Sequence, residues 1–271
     1  MLRDITIGQH FPGNSPVHRL DPRIKILLTI AWVVVLLMRS NFIGMGIAAL
    51  LLVLLYRMAK IPGRMVWRST RPLLPILLFT TILQLFFNSQ GRSLVQFWVI
   101  NITTGGIYNA LLFTLRIVIL LVGVSLLTYT TSPIALTDAI ERLLSPLSRL
   151  RFPTHELAMM MTIALRFIPT LIEETDKIMS AQKARGAELD SGNFIQRIKA
   201  LVPVLIPLFL SAFRRAEDLA MAMECRCYRG GEGRTRLRQL RFTAGDLLAT
   251  LFCLVVLGAI GASGYVVAPP F

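Results

Sequence analysis

The chain has 271 residues, of which 54% are hydrophobic, and a mean hydropathy of +0.63; soluble domains are roughly half apolar, and this composition indicates a membrane protein instead. A formal charge of +14 raises nucleic acid as a partner, but the basic residues flank apolar blocks or gather in one segment, so they build no soluble basic face and nucleic acid is excluded. The three cysteines, Cys225, Cys227 and Cys253, are too few and too scattered for a disulfide framework, and Cys225-x-Cys227 lacks the second pair or nearby histidine of a zinc site.

Residues 1–20 carry Pro12, Gly13, Asn14 and Pro16 but no apolar core, so no cleavable signal peptide is expected. Apolar blocks then follow at 24–38, 42–56, 73–87, 107–128 and 244–267. Each is near the ~17–25 residues of a spanning helix, or reaches it with its flanks, which gives about five transmembrane helices. A four-span alternative makes 26–56 re-entrant. The polar break Arg39-Ser40-Asn41 argues against it, because such a break belongs in a hairpin turn at the membrane surface.

Arg3, Arg19, Arg23 and Lys25 precede the first block, and Arg57, Lys60, Arg64, Arg68 and Arg71 follow the second. Only Arg39 and Arg92 lie in the alternate connections, so the positive-inside bias puts the N-terminus in the cytoplasm and the C-terminus outside.

Residues 131–241 hold 17 of the 29 Lys and Arg and 12 of the 15 Asp and Glu. The expected organisation is therefore a four-span region at 1–130, a cytoplasmic and interfacial segment at 131–241, and a last span at 242–271. The middle segment opens with Ser132-Pro133, an N-cap followed by proline at the first helical position. Leu136, Ile140, Leu143, Leu144 and Leu147 recur behind it at helical spacing, as in an interfacial amphipathic helix.

Two long helices are predicted next, from 154 to about 185 and from 194 to about 226. Both are apolar in the first half and polar in the second, with kinks expected at Pro169, Pro203 and Pro207. Aligning Arg185 with Arg226, an offset of 41, superimposes Ile178 on Leu219, Ala181 on Ala222, Ala184 on Cys225 and Gly186 on Cys227. This is a repeated unit. A cation at a helix C-terminus interacts well with the macrodipole, about 0.3–1 kcal/mol, and Gly186 is an ordinary stop. The repetition asks for more: each arginine stands between small residues, leaving room for another protein to close around the guanidinium.

With these residues in view, the sequence resembles the T component, the transmembrane coupling subunit, of energy-coupling factor transporters. PGNSPVHRLDPRIK at 12–25, TSPIALTDAIERLLSPL at 131–147 and ALRFIPTLIEETDKIMSAQKARG at 164–186 carry the likeness. Members of that family end two coupling helices in an arginine between small residues. Ala184-Arg185-Gly186 fits, while Cys225-Arg226-Cys227 keeps the arginine and replaces its flanks with small thiols. The resemblance implies an all-α polytopic scaffold whose two coupling helices dock on a pair of cytoplasmic ABC-type ATPases, while a substrate-binding S component packs in the bilayer. It implies uptake of a vitamin or other micronutrient.

No G-x-x-x-x-G-K-[ST] loop is present, so nucleotide hydrolysis is assigned to a partner and no cofactor is expected. His10, His18 and His155 form no metal cluster by spacing, and His155 is expected at the surface. A polytopic membrane enzyme and an autonomous carrier are the alternatives. Gly261-Ala262-Ser263-Gly264 imitates an intramembrane serine protease motif, yet no histidine lies in a predicted span; small residues that let helices approach explain it. A carrier would show ionisable residues in several spans, and only Arg116 is deep in one. The basic run from Arg229 to Arg241 is read as stop-transfer charge against anionic lipid.

Overall fold

The computed structural model of the protein describes residues 11–38, 41–87, 93–97, 100–146, 153–187, 193–230 and 242–266. They form helices α1 (Pro16–Arg19), α2 (Pro22–Leu37), α3 (Phe42–Ala59), α4 (Gly63–Thr70) and α5 (Leu74–Phe87), with a single 3-10 turn between the last two. A short antiparallel ribbon, β1 (Ser93–Phe97) and β2 (Ile100–Thr103), follows. Then come α6 (Thr104–Thr130), α7 (Pro133–Leu144), α8 (Thr154–Ala184), α9 (Phe194–Cys225) and α10 (Ala244–Val266). The all-α membrane architecture holds, and the ribbon is its one departure among the described residues. It pairs Phe97 with Ile100 and delivers the chain to Thr103, whose hydroxyl caps α6 by accepting from the Gly106 N–H at 3.0 Å.

Five helical stretches are long and apolar enough to cross a membrane: Phe42–Ala59, Gly63–Phe86, Thr104–Thr130, Thr154–Ala184 and Ala244–Gly264. The count of five matches the sequence expectation, but the membership differs. The first apolar block folds as α2, whose 16 residues make about 24 Å of helix, short of a ~30 Å hydrocarbon core. α8 qualifies instead, because its first half is apolar on most sides.

The chain divides into two compact units, one of Gly8–Leu136 and Arg238–Phe271, the other containing Thr137–Leu237. In the first, α2, α3, α6 and α10 pack around Leu36, Met45, Ala48, Tyr129 and Ile260, all essentially without exposure. Close approach depends on small residues. A Cβ at Gly123 of α6 would overlap the Trp32 indole, and one at Gly44 of α3 would meet the Ser263 hydroxyl of α10. Gly261 and Ser263 are thus part of a helix seam, and Ser263 Oγ donates to its own helix at Ile260 O (2.7 Å). The polar break before α3 is not wholly at the surface: Asn41 is buried and its Nδ2 donates to Ser263 O at 3.1 Å, while Arg39 and Ser40 lie outside the described residues. Outward-facing Leu50, Val53, Ile76, Phe79, Leu111 and Val255 form an apolar exterior suited to lipid.

The segment 12–25 is a polar knot in this unit. Ser15 caps α1 and its hydroxyl shares a 2.7 Å hydrogen bond with His18 Nδ1. Asp21 caps α2 by accepting from the Arg23 N–H, and its own N–H donates to Asp246 Oδ1 (3.1 Å) at the start of α10. Lys25 is buried, and its Nζ donates to His18 O (3.1 Å), Thr130 O (3.0 Å) and Thr131 Oγ1 (3.3 Å). An ammonium has three protons, and all three are used.

α7 begins as expected, with Ser132 Oγ accepting from the Ala135 N–H at 3.3 Å, and most of its length belongs to the second unit. α8 and α9 are continuous helices of 31 and 32 residues that contain Pro169, Pro203 and Pro207. The expected turn at 188–193 and the basic run to Arg241 lie largely outside the described residues.

Candidate partner-docking site

Each candidate arginine is the C-cap of its long helix, and the two helices end in the same hydrogen-bond pattern. After α8, the Gly186 N–H donates to Lys183 O (3.0 Å) and the Ala187 N–H to Gln182 O (3.0 Å). After α9, the Cys227 N–H donates to Glu224 O (2.8 Å) and the Tyr228 N–H to Met223 O (3.0 Å). Both are Schellman motifs, in which the residue after the cap turns left-handed and stops the helix. Gly186 does so at φ 86° and Cys227 at φ 54°. Glycine takes this conformation freely, whereas a side chain costs roughly 1–2 kcal/mol there. The repeat inferred from the offset of 41 is therefore also a repeat of backbone geometry.

Ala184, Arg185, Gly186, Cys225, Arg226 and Cys227 are all exposed. Because the helix stops one residue later, each guanidinium stands at a tip with a small side chain or none beside it.

A cross-link that the sequence reading missed joins the two helices. The Glu174 carboxylate of α8 accepts from Ser211 Oγ (2.6 Å) and from the Arg215 guanidinium of α9, while Arg215 Nε donates to Ser211 Oγ at 3.5 Å. Glu174 and Arg215 are 41 residues apart, the repeat offset, so each is paired with its own equivalent. The signal was available: carrying the alignment of the arginines back eleven positions puts an acid opposite a base. Eleven residues also separate each of them from its motif arginine, an arm of about 16 Å. Further along, Gln182 Nε2 of α8 donates to Pro203 O of α9 at 3.2 Å. Rising numbers on α8 meet falling numbers on α9, so the helices run antiparallel and the arms leave the cross-link in opposite directions. The two arginines are not brought together; they stand up to about 33 Å apart along the pair.

His155, expected at the surface, is half-exposed and has a partner. Its Nδ1 lies 3.0 Å from Glu141 Oε1, which ties the start of α8 to α7. Among the described residues, no group of three His, Cys, Asp or Glu side chains is placed to hold a metal ion.

Residues 13–237 match the profile of the family CbiQ, described as cobalt transport protein. Over 248 residues the chain is 56% identical to the energy-coupling factor transporter transmembrane protein EcfT of Thermosediminibacter oceani, covering 92% of this chain and 93% of that protein. It is similarly related to the proteins of that name in Clostridium kluyveri, at 49% over 94% of this chain and 95% of that one, and in Bacillus subtilis, at 43% over 96% and 98%.

Proposed function

The chain belongs to the CbiQ family, that of the EcfT transmembrane proteins of energy-coupling factor transporters, and from that membership we propose that it couples two cytoplasmic ATPases to a substrate-binding S component. Arg185 and Arg226 are the docking points. Each inserts its planar fork of donors into a groove on one ABC-type ATPase, where the small neighbours Ala184, Gly186, Cys225 and Cys227 let the groove close. The observation that carries this reading is the pair of matching arginine-tipped arms, each eleven residues from a shared cross-link. Two like tips facing opposite ways suit two like sockets.

ATP binding and hydrolysis move the sockets, and stiff helices relay the displacement past the cross-link to their apolar halves, which adjoin the bilayer and the S component. The S component then releases a vitamin or other micronutrient inside. The chain itself carries no nucleotide-phosphate loop, which supports a non-catalytic role. The Lys and Arg of 57–71 and the charged segment 131–241 favour a cytoplasmic side shared by the N-terminus and both arms.

The test is charge reversal in the co-expressed complex. Arg185→Glu with Arg226→Glu is expected to leave the chain inserted and folded but to strip both ATPases in a detergent pull-down, with each single change removing part. Full retention of the ATPases together with full uptake would overturn the assignment. Uptake or hydrolysis by the purified chain alone in liposomes would favour an autonomous carrier or enzyme instead.

A further inference from the structure

Arg116 is at the centre of α6, twelve residues from Thr104 and fourteen from Thr130. It follows the buried Leu112 by four positions and precedes the buried Ile119 by three, so it belongs to the packed edge of the helix, and it is only half-buried. Its Nε is buried with no hydrogen-bond partner among the described residues. Two other cations of the first unit are differently placed: Lys25 has an oxygen for every proton, and Arg23, whose Nε and Nη2 are also buried without a hydrogen-bond partner, has the Asp21 carboxylate 3.9 Å away and its guanidinium over the Phe242 ring.

A guanidinium in mid-bilayer without an acceptor is costly, and such residues face another protein surface or a wet cavity. About 18 Å of helix separates Arg116 from the nearer end of α6, more than the ~15 Å half-thickness of the hydrocarbon core. The side chain is too short to snorkel that distance, so lipid phosphates are out of reach. A second copy of this chain offers nothing suitable. In α2, α3, α5, α6 and α10 the one acidic residue is Asp246, in the first turn of α10, and it is occupied with the N–H groups of Asp21 and Thr243; the acids of α8 are Glu156 in its first turn and Glu173, Glu174 and Asp176 in its polar half, away from the middle of an apolar stretch.

We propose that Arg116 is a docking residue within the membrane, which takes a carboxylate from a spanning helix of a different polypeptide. Arginine suits the task because its fork can meet both carboxylate oxygens at once and stays charged in an apolar setting. The contact orients the partner by a single polar point on an otherwise apolar face, where van der Waals packing alone has little directional preference. This inference rests on the proposed assembly with a membrane-embedded S component.

The experiment uses the chain co-expressed with its ATPases and its membrane partner, reconstituted in bilayers of neutral lipid and in bilayers containing anionic lipid. Arg116→Glu is expected to lower the recovered membrane partner about tenfold or more in both lipids, and Arg116→Leu several-fold, while the ATPases stay bound. An acidic residue in a span of the partner, exchanged to arginine, is expected to restore binding to Arg116→Glu. The isolated chain with Arg116→Leu should unfold at the same or a higher temperature, because an unpaired charge has been removed; a purely structural arginine would give the opposite shift. A loss of partner confined to anionic bilayers would overturn the proposal in favour of lipid. Unchanged recovery with Arg116→Glu would overturn it while leaving the coupling assignment intact. Failure of any membrane partner to co-purify with the unaltered chain would overturn both.

Discussion

An arginine at a helix C-cap is common; an arginine there whose next residue must turn left-handed has its position fixed to within one residue. Gly186 satisfies the turn without strain, and Cys227 satisfies it at a cost. Cys227→Gly is therefore expected to stabilise the end of α9 by about 1 kcal/mol and to leave ATPase binding intact. Gly186→Val should weaken the first motif by a similar or larger amount. Thermal unfolding in detergent, with pull-down of the ATPases, reads both. Lys25 gives a second case, in which the sequence hid the role. Beside Arg19 and Arg23 it looked like one more cytoplasmic charge, yet it is buried with carbonyls of two segments on its ammonium. Lys25→Met removes the donor and strands the buried Thr130 carbonyl, which should lower stability by about 2 kcal/mol. Thermal unfolding of the isolated chain measures it, and an unchanged midpoint would show that the carbonyls find other donors.

At the scale of elements, the long helices were legible because their apolar and polar halves repeat with an offset of 41, and α7 because Ser132-Pro133 marks its start. The residues proposed for docking could be named from the same repeat. What could not be read was the pairing of one helix with the other, since periodicity reports a helix's faces but not which neighbour covers them. Which helices are long enough to cross the membrane was less legible: α2 keeps the short length of its apolar block between the Asp21 cap and Met38, while the first half of α8 is as apolar as a spanning helix. The Glu174–Arg215 contact supplies the missing relation. Because it pairs equivalent positions of the repeat, it fixes both arm lengths at once. Glu174→Arg is expected to splay α8 and α9 and to reduce coupled uptake several-fold, with each ATPase still able to bind its own tip. The exchange of Glu174→Arg with Arg215→Glu should recover most of the loss. Recovery separates a positioning contact from a residue that touches a partner, because a partner would meet the wrong charge in the exchanged protein.

For the molecule as a whole, the charge pattern and the cysteines make one joint prediction about sidedness and docking. Cys225 and Cys227 are exposed around Arg226, whereas Cys253 belongs to α10 among apolar neighbours. If both arms are cytoplasmic, a membrane-impermeant maleimide should leave intact cells' protein unmodified and should label Cys225 and Cys227 in inside-out vesicles. Cys253 reacts poorly in either case, since a membrane-impermeant reagent does not enter the apolar surroundings of α10. Assembly then adds a second constraint. With the ATPases bound, the thiols flanking Arg226 should be protected, and stripping the ATPases by Arg226→Glu should restore labelling to the level of the chain alone. Labelling from outside would reverse the orientation argued from the Lys and Arg distribution. Equal labelling with and without ATPases would leave the orientation standing but remove Arg226 from the docking surface, so one reagent tests the two claims separately.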